Sequence, residues 1–306
     1  MANLAHIFFQ GREDPAECAG EPAWATWPGQ EGCVRFGAEP SAGAATLRGA
    51  VEFPDPLLAW LLQQAGLNAR AYRPEALERR LAACLRHLGA PSRTAARAAL
   101  AARPELIDSA LSTVLIGVTD FFRDRAVWDQ LAREALPALL RTRCGLRVYA
   151  AGAATGDELY SVAMLLADAG ALCASELCGV DCRAEAIAAA RAGRFSEAAL
   201  ARVPAKWRMR FFAADGAGYQ ALPVLTRAMR WQVADLFSFE EAAAWDMILF
   251  RNVAIYLTEA HAVRAWKYLC DQLASGGVLM TGKAEKPPPD LPLRRLGPAL
   301  YQRLPE

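Results

Sequence analysis

The stretch Val148-Tyr149-Ala150-Ala151-Gly152-Ala153-Ala154-Thr155-Gly156-Asp157-Glu158 decides how this chain folds. An apolar run gives way to two glycines and then to an acidic pair that opens a helix-periodic segment, which predicts a strand, a tight turn and a helix in that order. In a doubly wound sheet, ligands bind outside the carboxyl ends of the strands, and glycine lets backbone approach a ligand where a Cβ would collide. Gly152 and Gly156 are therefore cofactor-loop candidates. Their Gly-x-x-x-Gly spacing is neither the dinucleotide fingerprint nor a phosphate loop, since no Lys-Ser/Thr follows, and this favours S-adenosylmethionine over a phosphate ligand. Two plainer readings stand beside it: a simple strand-to-helix turn, and a capping box in which Glu158 pairs with Thr155 and only satisfies the first helical turn.

Working outward, short apolar strands are expected at about 146–151, 176–181, 245–250 and 277–282, separated by helices at about 157–169, 184–192 and 258–274. That alternation predicts an α/β fold, a doubly wound and mostly parallel sheet, over residues 144–306. Upstream, Leu77, Leu81, Cys84, Leu85 and Leu88 mark an amphipathic helix face, and further helices at about 93–102, 104–116 and 124–141 make residues 54–143 an all-α domain. Residues 1–53 read as a loop-rich extension. Between about 195 and 236, a short helix at Pro204–Phe212 and strand-like pieces at Tyr219–Leu225 and Met229–Ala234 predict a small antiparallel insertion. Pro287, Pro288 and Pro289 form a rigid connection before a last strand near Ala299–Leu304.

Composition narrows the function. With 306 residues, 54% of them hydrophobic, the chain can build a large core and is neither disordered nor collagen-like. Thirty-four basic against 33 acidic residues leave a net charge of +1, so no global field draws it to nucleic acid or an anionic membrane. No secretory leader and no apolar run of about 18 residues is evident, and a soluble, cytoplasmic protein without membrane insertion is expected. The 8 cysteines form no Cys-x-x-Cys pair and the 3 histidines are scattered, so reduced thiols and no metal site are expected.

Two further segments carry polar residues to strand ends. Gly179-Val180-Asp181 ends the second strand with a carboxylate suited to accept both ribose hydroxyls of an adenosine, or alternatively to cap the helix that begins near Ala184. The buried strand in Trp245-Asp246-Met247-Ile248-Leu249-Phe250 delivers Arg251, Asn252 and Tyr256 to the same edge.

Together these segments resemble the CheR-type family of chemotaxis receptor protein-glutamate O-methyltransferases. Its ordered motifs correspond to Thr119-Asp120-Phe121-Phe122-Arg123, Ala151 to Ser161, Val180-Asp181, Asp235-Leu236, Phe250 to Leu257 and Gly282-Lys283-Ala284-Glu285, over roughly residues 54–304. The resemblance implies that Thr119 and Arg123 reach the cofactor from the helical part, that Glu158 and Asp181 hold S-adenosylmethionine, and that Asp235 and Leu236 lie near the adenine. It also implies that Arg251, Asn252 and Tyr256 stand beside the reactive methyl, with Arg123 and Tyr256 as catalytic candidates. Arg123 as an interface salt bridge and Tyr256 as core packing are the alternatives. Gly117 stands where the family often has Asn, Leu159 where it has Pro, Asp235 where it has Asn, Phe250 where it has Cys and Ala284 where it has Ser.

The implied activity is methyl-ester formation on glutamates of a chemoreceptor-like helical bundle. Eight Arg against two Glu between Asn68 and Arg103 offer a basic docking face, although 30 Arg against 4 Lys in the whole chain equally suits a general bias. The family's small β-subdomain, which in some members grips a receptor peptide by strand addition, corresponds to the insertion. A carboxyl methyltransferase for another acid and a non-catalytic cofactor- or receptor-binding module are the competing functions.

Overall fold

The computed structural model describes residues 53–115, 117, 119–237, 239 and 244–305. The loop-rich reading of 1–53 lies, except for Phe53, outside the described residues.

Four helices open the described chain: α1 (Pro56–Gln64), α2 (Pro74–His87), α3 (Arg93–Ala102) and α4 (Ile107–Val114). Two of these starts, those of α1 and α3, carry a side-chain cap. The Asp55 carboxylate accepts from the N–H groups of Leu57 and Leu58 at 2.9 and 3.0 Å ahead of Pro56, and the Ser92 hydroxyl accepts from Ala95 N–H at 3.1 Å. Leu58, Leu61, Leu62, Leu77, Leu100 and Leu111 are fully buried in a core these helices share. The expected helix at 104–116 is shorter, because Pro104–Leu106 forms a 3₁₀ turn before α4 begins. The expected helix at 124–141 runs as α5 (Arg125–Gln130), a π-helical turn over Leu131–Ala135, and α6 (Leu136–Leu140). The π turn precedes Pro137, which supplies no N–H to the helical ladder.

The rest of the chain alternates: β1 (Arg147–Ala151), α7 (Asp157–Asp168), β2 (Glu176–Asp181), α8 (Ala184–Ala192), β3 (Arg194–Phe195), α9 (Ala205–Phe211), β4 (Phe212–Asp215), β5 (Gly218–Ala221), α10 (Pro223–Thr226), β6 (Met229–Val233), β7 (Trp245–Phe250), α11 (Glu259–Gln272), β8 (Leu273–Thr281), β9 (Leu293–Arg295) and β10 (Leu300–Arg303). Seven strands form one sheet in the order β6-β2-β1-β7-β8-β10-β9, parallel from β6 to β8 and closed by the antiparallel β10 and β9. This is the expected doubly wound, mostly parallel architecture. Strand alternation builds two cores: Tyr149, Val180, Ile248 and Leu279 face one that includes Trp266 and Leu269 of α11, while Val148, Leu177, Met247 and Met280 face another that includes α7 and Trp128.

The insertion needs a correction. Only β3, β5 and β4 form the separate antiparallel sheet; Met229–Val233 instead pairs in parallel with β2 and extends the main sheet. The predicted strand at Tyr219–Leu225 ends at Ala221, and Pro223 begins the short helix α10. The strand composition at 229–234 was legible from the sequence, but its partner depends on what lies beside β2. Trp231 gives the reason: its ring covers Gly179 of β2 and Gly156 at the start of α7, where a Cβ on either would collide with it.

Gly156 has φ +90° and Gly170, past the end of α7, has φ +70° with open space around it. Gly170→Ala should therefore lose only the left-handed backbone penalty, about 1–2 kcal/mol. Gly156→Ala should lose roughly 2–4 kcal/mol, since it adds overpacking against Trp231. Urea unfolding of the two variants measures the difference.

Candidate functional site

In the parallel part of the sheet, β1 and β7 are neighbours while the chain leaves β1 toward β2 on one side and β7 toward β8 on the other, which opens a crevice at their carboxyl ends. A cavity of about 250 Å³ lies there. Thr119, Arg123, Gly152, Glu158 and Asp181 line it, as do Asp235, Leu236, Arg251, Asn252 and Tyr256. Gly156 does not: it turns toward Trp231 and Ala190, and its role is to pass the chain from β1 into α7 under the indole ring.

The β1 turn is pinned by Val180 O, which accepts from Gly152 N–H at 2.9 Å and Ala153 N–H at 2.8 Å. Gly152, at φ +76°, faces Val253 so closely that any side chain would strike it. The two loops that rim the cavity thus touch at a position without a Cβ. The anticipated capping box does not form. The Thr155 hydroxyl donates to Asp157 at 2.6 Å, and Glu158 turns instead to the guanidinium of Arg251.

Arg251 is nearly sealed, with its side chain 1% exposed. It donates to Glu158, to Thr281 O at 3.2 Å, to Arg123 O at 3.1 Å and to Asp124 at 2.9 Å. Lys283 meets the other Asp124 oxygen at 3.1 Å. Burial pushes the Glu158 carboxyl up to about 7, against the pull of Arg251 and Arg123 in the other direction. Arg123 itself is carried by two buried anchors. Phe121 packs edge-on against Phe195 of the insertion at 4.9 Å, and Phe122 packs against Trp128 at 5.4 Å and Trp207 at 5.6 Å. Both Phe122 (φ +51°) and Asp124 (φ +63°) hold left-handed backbone, so Arg123 sits in a strained segment that this packing and the bonds from Arg251 maintain.

The turn after β7 is held by Glu285, a residue to which the sequence assigns no task. Its buried carboxylate accepts from Asn252 N–H at 2.6 Å, Gly282 N–H at 2.9 Å and Ile255 N–H at 3.3 Å. Asn252 holds φ +58°, and the carboxylate supplies the acceptors such a turn needs. Burial raises the Glu285 carboxyl, and these backbone donors oppose that rise. Tyr72 is a second residue the sequence did not single out. It reaches the cavity through an antiparallel bridge to Leu257, flanked by bonds from Arg73 N–H to Tyr256 O and from Thr258 N–H to Ala71 O, each 2.8 Å. A third is Arg183, whose guanidinium lies on Asp181. Asp181 also accepts from Ala154 N–H at 2.9 Å and Arg183 N–H at 3.0 Å, so it tethers the β1 turn to the start of α8.

The lining suits an adenosyl sulfonium ligand. Leu115, Val180, Leu236 and Phe237 offer apolar wall, while Glu158, Asp181 and Asp235 offer negative charge. Among the described residues, Thr119 Oγ1 and Asn252 Oδ1 are buried at this cavity with no hydrogen-bond partner in the protein, a condition a polar ligand relieves.

Comparison with known proteins agrees. The sequence model of the family described as CheR methyltransferase, SAM binding domain, matches residues 117–292. The chain is 31% identical over 182 residues to a chemotaxis protein methyltransferase of Listeria monocytogenes, covering 59% of this chain and 70% of that one. It is 30% identical over 208 residues to a probable chemotaxis protein methyltransferase of Rhizobium etli, covering 63% and 74%. With chemotaxis protein methyltransferase 1 of Pseudomonas aeruginosa the identity is 28% over 192 residues, covering 59% and 69%. The chain therefore belongs to the CheR methyltransferase family, and S-adenosylmethionine is its cofactor.

Proposed function

We propose that this protein forms methyl esters on glutamate side chains of a chemoreceptor-like protein, acting on the receptor's cytoplasmic helical bundle. The observation that carries the reading is the convergence of Arg123 and Tyr256 on the cavity lined by Glu158 and Asp181. The exposed Arg79 and Arg86 of α2 stand on the helical part whose Tyr72 reaches the same cavity, and they offer a face of the right sign for a Glu-rich helix.

When bound, S-adenosylmethionine supplies an electrophilic methyl group on a sulfonium. A glutamate side chain, with a pKa of ~4.3, is already ionised at neutral pH, so the protein's task is alignment, worth on the order of 7–11 kcal/mol. Glu158 and Asp181 hold the cofactor, Asp235 and Leu236 border its adenine, and Thr119 and Asn252 give it the hydrogen bonds that the protein leaves unmade. Arg251, engaged on four protein acceptors, positions Glu158 and the Arg123 loop. Arg123 orients the incoming carboxylate; a tighter cationic clamp would overstabilise the ground state, in which the charge is greatest. Tyr256 presents its ring or hydroxyl beside the methyl, with a cation–π contribution of about 0.5–2 kcal/mol.

Incubation with labelled cofactor and a receptor cytoplasmic fragment should yield base-labile label. Arg123→Ala should lower kcat/KM by about 100-fold or more and Tyr256→Phe by about tenfold, losses of ~2.7 and ~1.4 kcal/mol. Base-stable label, or none while S-adenosylhomocysteine still binds, would remove the glutamate assignment and leave the methyltransferase.

The Glu158 carboxyl, near 7 in the folded protein, gives a pH test. Because its folded value lies above the unfolded one, the proton it holds favours the fold at low pH, and that contribution is lost as pH rises through about 7. A cationic cofactor that needs the Glu158 anion responds oppositely. S-adenosylmethionine affinity should rise from about pH 6 to about pH 8 with a proton released on binding, and Glu158→Gln should flatten the profile. Calorimetric titration in buffers of different ionisation enthalpy measures both; a flat wild-type profile would take Glu158 out of the cofactor site.

A further inference from the structure

Asp181 stands where the ribose of the cofactor needs an acceptor, yet its carboxylate is fully engaged. Oδ1 accepts from Arg183 N–H at 3.0 Å and Arg183 Nε at 2.8 Å; Oδ2 accepts from Ala154 N–H at 2.9 Å and Arg183 Nη2 at 2.9 Å. An ionised carboxylate offers about four lone-pair sites, so these four N–H donors saturate it, with the Cys182 thiol a further, weaker donor to Oδ1 at 3.9 Å. Two of them are backbone groups fixed by the β1 turn and the start of α8. The other two belong to one side chain, the Arg183 guanidinium.

That guanidinium is inside the cavity, not on the surface. Arg183 is 7% exposed, lines the cavity beside Asp181, and donates through Nη1 to Leu115 O at 3.1 Å, just past the end of α4. Gly117 makes its place: a Cβ there would overlap both terminal nitrogens. The absence of a side chain at 117 and the presence of a long cation at 183 are thus one structural fact.

We infer that Arg183 is an internal competitor of the cofactor's ribose: its guanidinium occupies the two Asp181 acceptor sites that the 2′- and 3′-hydroxyls require, and the cofactor binds by exchanging two hydroxyl donors for two guanidinium donors. The inference rests on the reading of Asp181 as the ribose acceptor and assigns the residue that sets how strongly that acceptor discriminates. Charge-assisted bonds to a buried carboxylate are the strong ones, so displacing them weakens the cofactor's hold. The backbone donors from Ala154 and Arg183 remain, and the carboxylate keeps its orientation through the exchange. Arg183 also ties β2 to the end of α4 through Leu115, so its departure releases one bond between the helical part and the sheet.

The test is calorimetric titration of wild type and Arg183→Met, which keeps the aliphatic bulk and removes the fork, with S-adenosylhomocysteine and with its 2′,3′-dideoxyribose analogue. Arg183→Met should bind S-adenosylhomocysteine at least tenfold more tightly than wild type, and the two proteins should bind the dideoxy analogue equally, since that ligand leaves Asp181 alone. Equal or weaker binding of S-adenosylhomocysteine by the variant overturns the inference. A gain of the same size for both ligands also overturns it, because Arg183 would then obstruct by volume alone. Thermal unfolding checks that the variant folds. If it does not, wild type decides by itself: removing both hydroxyls should weaken binding less than fivefold, since the guanidinium stays on Asp181, and a loss beyond a hundredfold overturns the exchange. Failure of wild type to bind S-adenosylhomocysteine at all would overturn the cofactor assignment together with this inference.

Discussion

A buried guanidinium organises this protein. Arg251 leaves the end of β7 with no water to solvate it and must find its acceptors inside. It finds four acceptors on three separate segments: Glu158 at the start of α7, Thr281 at the end of β8, and the Arg123 carbonyl and Asp124 carboxylate in the loop before α5. Removing one partner of such a charge typically costs about 3–5 kcal/mol, because the other is left buried and unpaired. The arrangement is therefore all or nothing, and the crevice between β1 and β7 has its shape only when these segments are in place together.

Around that hub the backbone is held in conformations it would not choose alone. Asn252, Ala154, Phe122 and Asp124 all have positive φ without being glycine, and all four flank or line the cavity region. Each is compensated by identifiable contacts: Glu285 accepts from the Asn252 turn, Asp181 accepts from Ala154, and the aromatic packing of Phe121 and Phe122 fixes the loop before α5. Such strain persists only where the surroundings over-determine it, and it concentrates here at the site. The insertion takes part as well, since Phe195 and Phe212 brace Phe121.

The electrostatics of the cavity follow from carboxylates without enough water. Burial raises Glu158, Asp235 and Glu285 alike, and each is opposed by different partners: arginines for Glu158, backbone donors first for Asp235 and Glu285. Burial also raises the Tyr256 phenol, with Arg80, Arg123 and Arg183 pulling it back, so it stays protonated through the neutral range. Arg123, Arg183 and Arg251 line the same cavity as Glu158, Asp181 and Asp235, so the charge a ligand meets depends on which of these pairs it enters.

Much of this was legible in the residue order. Short apolar runs and glycine turns placed β1, β2 and β7, and the spacing of Leu77, Leu81, Cys84, Leu85 and Leu88 marked a helix face, because these signals act within a few residues of one another. Ten of the eleven site candidates line the cavity, since strand ends in a parallel sheet share one edge whatever the loops do. Gly156 stands outside that lining; a glycine in a ligand loop and a glycine under an indole look the same until Trp231 is in place. Tyr72, Arg183 and the task of Glu285 were beyond local reading for the same reason. A bridge to Leu257, a vacancy at Gly117 and a carboxylate beneath the 252–255 turn are made by segments distant in sequence, and only tertiary packing decides which meet. Sequence alone thus determined the alternation of strands and helices and which strand ends carry polar residues, through interactions whose range is a turn or a strand. Tertiary structure alone decided which charges are buried against each other, because desolvation depends on everything that surrounds a group and not on its neighbours in the chain.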